Sequence, residues 1–368
     1  MSKRNYRMTP IDPLISRDAR PFGEGGRVRS LDWLSQSVVA GAVRAALWKE
    51  DPVRRPEWLE RLKQVSLRGP FPLAGGKMYL PRPLDIVLSK EGDGAPEVWQ
   101  IRPMEEIPEG CGTDMPVQGL LPAAPDSDGD FKPEKMDAFW SVDLMARWLA
   151  KGKEGFALEA DETLATPLKD ERSHVKINPD TGAAEEGMLF STTGLDFTRR
   201  DGNAFQAWGA ALEADFGDME DLGDFTAPVG GERRLARFEA REEDGALWSP
   251  PDVKPGQKLR LVLATPALFA KGWMPGWIDE RSLEGQVPGT ELRVRLASAV
   301  TGRWQPVSGW SYEDDKPKAL RRAVPAGSVY FFERVSGEAD LDSIWLRSVC
   351  DDEQDRRDGF GLALWGGW

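Results

Sequence analysis

The pattern of apolar positions predicts an amphipathic helix from about Ser35 to Trp48. Val39, Val43 and Leu47 follow one another at intervals of four, which places their side chains on one face of a helix. A serine at the start can cap the first turn. Asp51-Pro52 ends the helix, because proline disfavours helical backbone in the residue before it. A second edge of this helix carries Gly41, Arg44 and Trp48.

Short strands bounded by glycine and proline account for most of the remaining pattern. From His174 onward, Val175 and Ile177 alternate with polar neighbours, which predicts a hairpin whose turn is Asn178-Pro-Asp-Thr-Gly. Val329–Phe332 is apolar on both faces, as is typical of a central strand. Further predicted strands are Met78–Leu80, Met188–Phe190, the run from Lys258 to Pro266, and Glu291–Ala297, and a second amphipathic helix is predicted over Phe139–Leu149.

Composition describes a folded and acidic chain. Of its 368 residues, 40% are hydrophobic, which suffices for a buried core. The net charge of −13 counts against generic nucleic-acid binding, which usually comes with a basic domain. A local group of arginines can still act on a nearby phosphate, because salt screens distant charges beyond about 10 Å. The chain has neither the roughly 20 apolar residues of a membrane helix nor the apolar segment of a secretory signal, so we expect a cytoplasmic protein with no membrane contact.

The sequence has no cysteine or histidine pattern of a zinc site and no motif for nucleotide hydrolysis. Cys111 and Cys350 lie far apart and have no cysteine or histidine neighbour at metal-ligand spacing, so we expect two free thiols. No Gly-x-x-x-x-Gly-Lys-Ser/Thr motif occurs, so nucleotide hydrolysis has no support. We therefore expect neither a metal nor a cofactor.

Arginines concentrate in the segment that precedes the first helix. The segment contains Arg17, Arg20, Arg27 and Arg29, separated by Pro21 and several glycines. A guanidinium group offers a planar fork of donors that matches phosphate, and glycine lets backbone approach a ligand closely. A second element, Gly230-Gly-Glu-Arg-Arg, places Arg233 on a possible anion-accepting turn. Solvated loop arginines and an ordinary β-turn are equally compatible with these two segments.

Five motifs carry a resemblance to a known family. They are Ile11-Asp-Pro-Leu with Arg17-Asp-Ala-Arg-Pro-Phe and the helix after it, Tyr79-Leu-Pro-Arg-Pro-Leu-Asp, Gly230-Gly-Glu-Arg-Arg, Thr265-Pro-Ala-Leu-Phe-Ala-Lys-Gly-Trp-Met-Pro, and Arg322-Ala-Val-Pro-Ala-Gly-Ser-Val-Tyr. Together they resemble the third subunit of the Cmr complex, a type III-B CRISPR effector, and this subunit belongs to the RAMP superfamily. Leu31–Ser37 departs from the Pro-rich segment that precedes the helix in most relatives.

The resemblance implies an α+β fold of two ferredoxin-like (RRM-like, β-α-β-β-α-β) RAMP domains with insertions. Three prolines and a glycine between Trp248 and Gly256 mark the expected boundary. The expected domains are therefore 1–248, with hairpin and loop insertions, and 249–368, with a glycine-rich loop. The segment from Gly359 resembles the C-terminal RAMP loop that packs beside bound RNA, and a flexible tail is the alternative.

The resemblance also implies a non-catalytic RNA-binding subunit that caps the 5′ handle of the crRNA. In the family, this subunit contacts the large polymerase-like subunit and a backbone RAMP subunit, and it meets target RNA indirectly. A single-stranded handle is held by phosphate contacts and by shape. We expect RNA contacts at Arg17, Arg20, Arg27, Arg29, Gly41, Arg44, Arg199, Arg233, Gly359 and Gly361.

His174, the only histidine, carries the main alternative hypothesis. RAMP nucleases that cut CRISPR transcripts often use histidine as a general acid or base, a role that suits its pKa near neutrality. The alternative is therefore a CRISPR RNA endonuclease that uses His174, and the plainer interpretation is a hydrogen-bonded residue at the foot of the hairpin. A β-rich adaptor that binds no nucleic acid is a third possibility.

Overall fold

The architecture is a mixed α+β fold with short helices and many strands. The computed structural model describes residues 3–19, 26–50, 56–89, 97–107, 109–126, 132–159, 161–201, 204–311 and 315–368. Its helices are α1 (Gln36–Glu50), α2 (Pro56–Gln64), α3 (Val142–Lys151), α4 (Leu341–Ile344) and α5 (Glu353–Arg357). Within these ranges, no helix has the length and apolar character needed to cross a membrane.

The strands are numbered in chain order. They are β1 (Lys3–Pro10), β2 (Arg27–Val28), β3 (Ser66–Ala74), β4 (Lys77–Pro81), β5 (Ile86–Ser89), β6 (Glu97–Pro103), β7 (Ala123–Pro125), β8 (Phe139–Ser141), β9 (Thr163–Leu164), β10 (Leu168–Ile177), β11 (Ala184–Asp196), β12 (Thr198–Asp201), β13 (Ala204–Ala207), β14 (Gly209–Asp215), β15 (Phe225–Pro228), β16 (Leu235–Ala240), β17 (Lys258–Leu263), β18 (Glu284–Gln286), β19 (Arg293–Val300), β20 (Gln305–Val307), β21 (Trp310–Ser311), β22 (Lys316–Pro317), β23 (Arg321–Ala323), β24 (Val329–Ser336), β25 (Arg347–Ser348) and β26 (Leu362–Gly367).

The chain forms two compact units from discontinuous segments. Unit 1 comprises Met1–Met78, Thr166–Asp244 and Pro306–Arg321, and unit 2 comprises Tyr79–Ala165, Gly245–Gln305 and Arg322–Trp368. One division, after Asp244, lies close to the boundary expected after residue 248. The units nevertheless differ from the expected domains 1–248 and 249–368, because residues 79–165 pack with the C-terminal part of the chain.

Unit 1 is built on an antiparallel sheet with the strand order β15-β16-β1-β14-β3. In this sheet β16 lies beside β1, and β14 lies between β1 and β3. Helix α1 packs against β3 and β15. It buries Val39, Val43 and Leu47, which confirms the predicted apolar stripe.

Unit 2 has a sheet with the strand order β18-β19-β24-β17-β26-β25. Its strands β17, β19, β24 and β26 repeat the order seen in unit 1, again with antiparallel pairing. The apolar strand β24 is central and buried through Val329–Phe332, as predicted. The predicted helix from Phe139 begins only at Val142, because Phe139–Ser141 pairs with β4 and the Ser141 hydroxyl caps the helix.

A buried ion pair joins three segments of unit 2. The guanidinium of Arg260, on β17, contacts Asp85 at 2.5 Å, and both side chains are fully buried. A second Arg260 nitrogen donates to the carbonyl of Trp148, whose own indole N–H donates to Asp85 at 2.9 Å. Since a buried charge is tolerated only when it is paired and hydrogen-bonded, this network fixes β17, α3 and the Asp85 turn together.

The C-terminal segment is a buried strand, which excludes the flexible-tail interpretation. Strand β26 lies between β17 and β25. Gly359 and Gly361 are buried with φ values of 89° and 66°, in the region that favours glycine. The Gly359 carbonyl accepts from the Thr265 hydroxyl at 2.8 Å, and a Cβ atom on Gly361 would overlap the Cys350 sulfur. Both glycines therefore serve close packing, and the RNA contacts expected at them stay predictions.

We expect Asp85→Ala to destabilise the protein by about 3–5 kcal/mol, because the Arg260 guanidinium is then left buried without a counter-charge. Thermal and denaturant unfolding of the purified chain measure this change. The control is Glu284→Ala, which removes the exposed ion pair with Arg293 and should cost less than about 1 kcal/mol. Equal losses in the two variants would contradict the role given to the buried pair.

Candidate nucleic-acid interface

The arginine segment begins on extended backbone that neighbouring elements of unit 1 hold in place. Leu14 exchanges two backbone hydrogen bonds with Leu195 of β11, at 3.0 and 2.7 Å. The Ile15 carbonyl accepts from the amide of Gly231 at 2.8 Å. Ser16 is fully buried, and its hydroxyl accepts from the amide of Ser35 at 3.0 Å, just before helix α1. Because these three contacts fix the backbone, the position of Arg17 is set by the fold.

The returning part of the segment lies against the same strand. Arg17 forms a β-bridge with Ser30, and the Asp18 amide donates to the Arg29 carbonyl at 3.0 Å. Strand β2 pairs in parallel with β11, which sets Arg27 opposite Ser191. The Gly/Arg loop that the sequence predicted is therefore, in its described parts, an extra edge on the β10–β11 hairpin.

Aromatic packing fixes the stretch that leads into helix α1. Trp33 stacks on Trp208 with 5.8 Å between ring centroids, and its indole N–H donates to the carbonyl of Pro70 at 2.8 Å. Phe197 packs against both rings. This stretch is part of Leu31–Ser37, and the contacts of Trp33 fix it ahead of helix α1.

The Gly230-Gly-Glu-Arg-Arg element meets the arginine segment at Ile15. Gly230 has a φ of 77°, and a Cβ atom there would overlap the Ile15 carbonyl oxygen, so the close approach requires glycine. Glu232 and Arg233 follow with φ values of 56° and 53°. The sequence predicted both elements separately, but only the fold shows that they lie side by side.

We call the residues Arg17, Arg27, Arg29 and Arg233 the arginine surface. All four are exposed. Arg27 forms an exposed ion pair with Glu171 of β10. The side chains of Arg29 and Arg233 make no hydrogen bond or ion pair with any other residue that the structure describes. Two guanidinium groups thus present their donors to solvent on segments that the fold brings together.

The family model of the CRISPR-associated protein Cas_Cmr3 matches residues 6–368. The chain belongs to the Cas_Cmr3 family. This match confirms the resemblance to the third Cmr subunit that the sequence motifs indicated.

Solved structures of a Cmr complex are similar to the chain. One similar structure is the type III-B Cmr-beta complex bound to cognate target RNA and AMPPnP, state 1, and another is Cmr-beta bound to cognate target RNA. Each match has 15% sequence identity and a TM-score of 0.49, and covers 89% of this chain and 86% of the other. No curated protein matches the sequence.

Other residues expected at the interface of this Cas_Cmr3 chain have different surroundings. Arg44 is half-buried in helix α1 and donates to the carbonyl of Val65 at 2.8 Å, so it fastens the helix to the chain just before β3. Gly41 is exposed, and a Cβ atom added there would meet no other atom within 4 Å, so it leaves that helix face open. Arg199 lies on β12, but its side chain falls outside the described residues, as does all of Arg20.

Most other described arginines of unit 1 are paired with a carboxylate, unlike Arg29 and Arg233. Arg7 forms a bidentate ion pair with Asp244, at 2.6 and 2.5 Å. Arg237 is 57% exposed and lies 3.2 Å from Glu239 and 3.9 Å from Asp224. A carboxylate already occupies such guanidinium groups, which distinguishes them from Arg29 and Arg233. Sequence alone gave no sign of the pairing of Arg7, because its partner Asp244 is distant in the chain, whereas Glu239 lies on the same strand as Arg237.

His174 sits within the predicted hairpin, which β10 and β11 confirm. Its Nε2 atom lies 2.9 Å from the Thr192 hydroxyl, and its ring stacks on Phe190 with 5.0 Å between centroids. Across the described residues, no group of three histidine, cysteine or acidic side chains is arranged to hold a metal ion. Cys111 and Cys350 are free thiols, as expected, and burial raises the pKa of Cys350 to about 12.

Proposed function

We propose that this chain is the non-catalytic RNA-binding subunit of a type III-B CRISPR effector, and that its arginine surface caps the 5′ handle of the crRNA. Membership of the Cas_Cmr3 family supports a place in such an effector, which works in the cytoplasm. The main observation in favour of the RNA contact concerns Arg29 and Arg233. Their exposed guanidinium groups have no carboxylate partner among the described residues, in a chain with a net charge of −13.

The arginine surface suits a single-stranded terminus held by its phosphates. Guanidinium–phosphate contacts are charge-assisted and frequently bidentate. The exposed pair between Arg27 and Glu171 contributes little to stability, so a phosphate can replace the carboxylate there. Because the rest of the chain is acidic, the attraction is short-ranged, and we expect handle binding to weaken strongly with salt.

The proposed partners are the large polymerase-like subunit and the backbone RAMP subunits, with target RNA reached indirectly through the guide. Exposed apolar side chains on the β10–β11 hairpin support contact with another subunit. Val175 and Leu189 are cross-strand neighbours, 42% and 62% exposed, and Ile177 follows at 52%. Apolar groups clustered on a projecting hairpin are stabilised when a partner covers them.

We further propose that both units are ferredoxin-like RAMP domains. The shared antiparallel order of four strands supports this, because in that fold the fourth strand lies beside the first and the third separates the first from the second. Helix α1 occupies the first crossover of unit 1. Between β14 and β16, where the fold has its second helix, the described chain contains strand β15.

The double variant Arg29→Ala/Arg233→Ala tests the handle contact. We expect several-fold weaker binding of a fluorescent handle RNA, and a slope of log affinity against log salt reduced by about 1.4, since each lost phosphate contact on a single strand contributes about 0.7. Fluorescence anisotropy over a range of salt concentrations measures both. Arg237→Ala is the matched control, because its guanidinium is already paired. An unchanged slope in the double variant would reject the proposed contact.

His174→Ala separates the proposed role from the endonuclease alternative. Because the contacts of His174 with Thr192 and Phe190 are a hydrogen bond and a ring stack, typical of a structural residue, we expect guide maturation and target cleavage to proceed at the unmodified rate. Both are followed by gel electrophoresis of labelled RNA in the assembled effector. Loss of guide maturation, with handle binding retained, would instead establish His174 as a general acid or base.

A further inference from the structure

Unit 2 contains a cavity of about 530 Å³, within the range of roughly 300–1,000 Å³ that is usual for small-ligand sites. Two of the family motifs build it. Ala267, in Thr265–Pro275, and Val324, in Arg322–Tyr330, exchange backbone hydrogen bonds of 2.9 and 2.8 Å. Both motifs therefore converge on one site that the handle-binding proposal leaves unused.

One wall of the cavity is preformed by contacts behind it. The Asp351 carboxylate accepts from the amides of Ala270 and Gly276, at 2.7 and 3.0 Å, and the Cys350 sulfur accepts from the amide of Leu268 at 3.2 Å. The Tyr330 hydroxyl donates to the Trp273 carbonyl. These bonds hold the loop that carries Trp273, so a ligand meets a rigid wall and loses less entropy on ordering it.

Another part of the lining combines an aromatic face with positive charge. Trp304 is 47% exposed, and the Arg322 guanidinium carbon lies 4.9 Å from its ring centroid. Arg303 precedes Trp304 at the rim. Neither arginine has a carboxylate partner among the described residues, and the lining contains no aspartate or glutamate within the same part of the chain. In an acidic protein, such a site favours an anion that also carries a flat aromatic group.

We propose that this cavity receives one nucleotide of a single-stranded RNA. Its base stacks on Trp304, and its phosphates contact Arg303 and Arg322. Base–indole stacking tolerates any base because every base has a π-face, and arginine adds a charge contact to the phosphate. Both arginines are exposed, so they can reach phosphates on either side of the stacked base. The inference rests on the proposed RNA-binding function but uses unit 2, separate from the arginine surface of unit 1.

Saturation-transfer NMR on the full chain tests the proposal with three probes: AMP, ribose 5-phosphate and the single-stranded RNA trinucleotide AAA. We expect saturation of the base protons of AMP and AAA, little transfer to ribose 5-phosphate, and several-fold tighter binding of AAA because its additional phosphates reach the arginines. Trp304→Ala should weaken AAA binding about five-fold or more. Trp310→Ala is the matched control, since Trp310 is 49% exposed and lies outside the cavity.

Three results would overturn the proposal: no transfer to the base protons, equal effects of the two tryptophan variants, or AMP binding as tightly as AAA, which would indicate a free-nucleotide site. Trp304→Phe keeps an aromatic face and should retain most of the affinity, which separates stacking from folding. If Arg29→Ala/Arg233→Ala leaves handle binding unchanged while Trp304→Ala still weakens AAA binding, the handle proposal fails and the cavity proposal stands. The reverse result rejects the cavity proposal alone.

Discussion

The backbone contact between the Ile15 carbonyl and the Gly230-Gly231 turn is the constraint on which the proposed interface depends. The Gly231 amide donates to this oxygen at 2.8 Å, and Gly230 lies too close to it to carry a side chain. This contact sets the turn that carries Arg233 beside the segment that carries Arg17 and Arg29. Because backbone atoms make the contact, the relative position of the two arginine segments is set by the fold of the main chain. A preorganised cationic surface needs such a frame, since flexible arginines lose binding energy to ordering.

Charge pairing within unit 1 explains how an acidic protein can bind an acidic polymer. Carboxylates neutralise Arg7 and Arg237, whereas Arg29 and Arg233 have none among the described residues. The positive charge that can attract RNA is therefore a short-range property of particular side chains, and the net charge of the chain does not reveal it. The cavity of unit 2 follows the same principle, because Arg303 and Arg322 also lack acidic partners in the described part of the chain. Aromatic stacking on Trp304 would then add affinity that does not depend on salt.

Local patterns in the sequence predicted the elements that short-range physics determines. The stripe of Val39, Val43 and Leu47 gave helix α1, and the Asn178 turn gave the β10–β11 hairpin. The grouping of residues 79–165 with the C-terminal part was not predictable, because it depends on long-range contacts such as the Asp85–Arg260 ion pair and the hydrogen bond from the Leu121 amide to the Ala297 carbonyl. The C-terminal segment resembled a glycine-rich RAMP loop, with a flexible tail as the alternative, yet Gly361 packs against Cys350 and the segment continues as a strand of the sheet.

The candidate site was likewise only partly predictable from the sequence. The sequence identified the candidate arginines. Whether each guanidinium can contact RNA depends on partners that are mostly distant in the chain. Arg27 and Arg29 are separated by one residue, yet only Arg27 meets a carboxylate, from Glu171. Arg44 looked similar on a helix edge, but its donor is used by the Val65 carbonyl. The family motifs of unit 2 were recognisable one by one, and only the fold shows that they enclose a cavity.

Photo-cross-linking of the assembled effector tests the central claim most directly. A guide RNA with photoreactive uridines in its 5′ handle would be irradiated, and the cross-linked peptides would be identified by mass spectrometry. The account predicts cross-links within residues 14–31 and 230–234 of this chain. Handle cross-links confined to other subunits, or to the acidic segment 216–224, would contradict it.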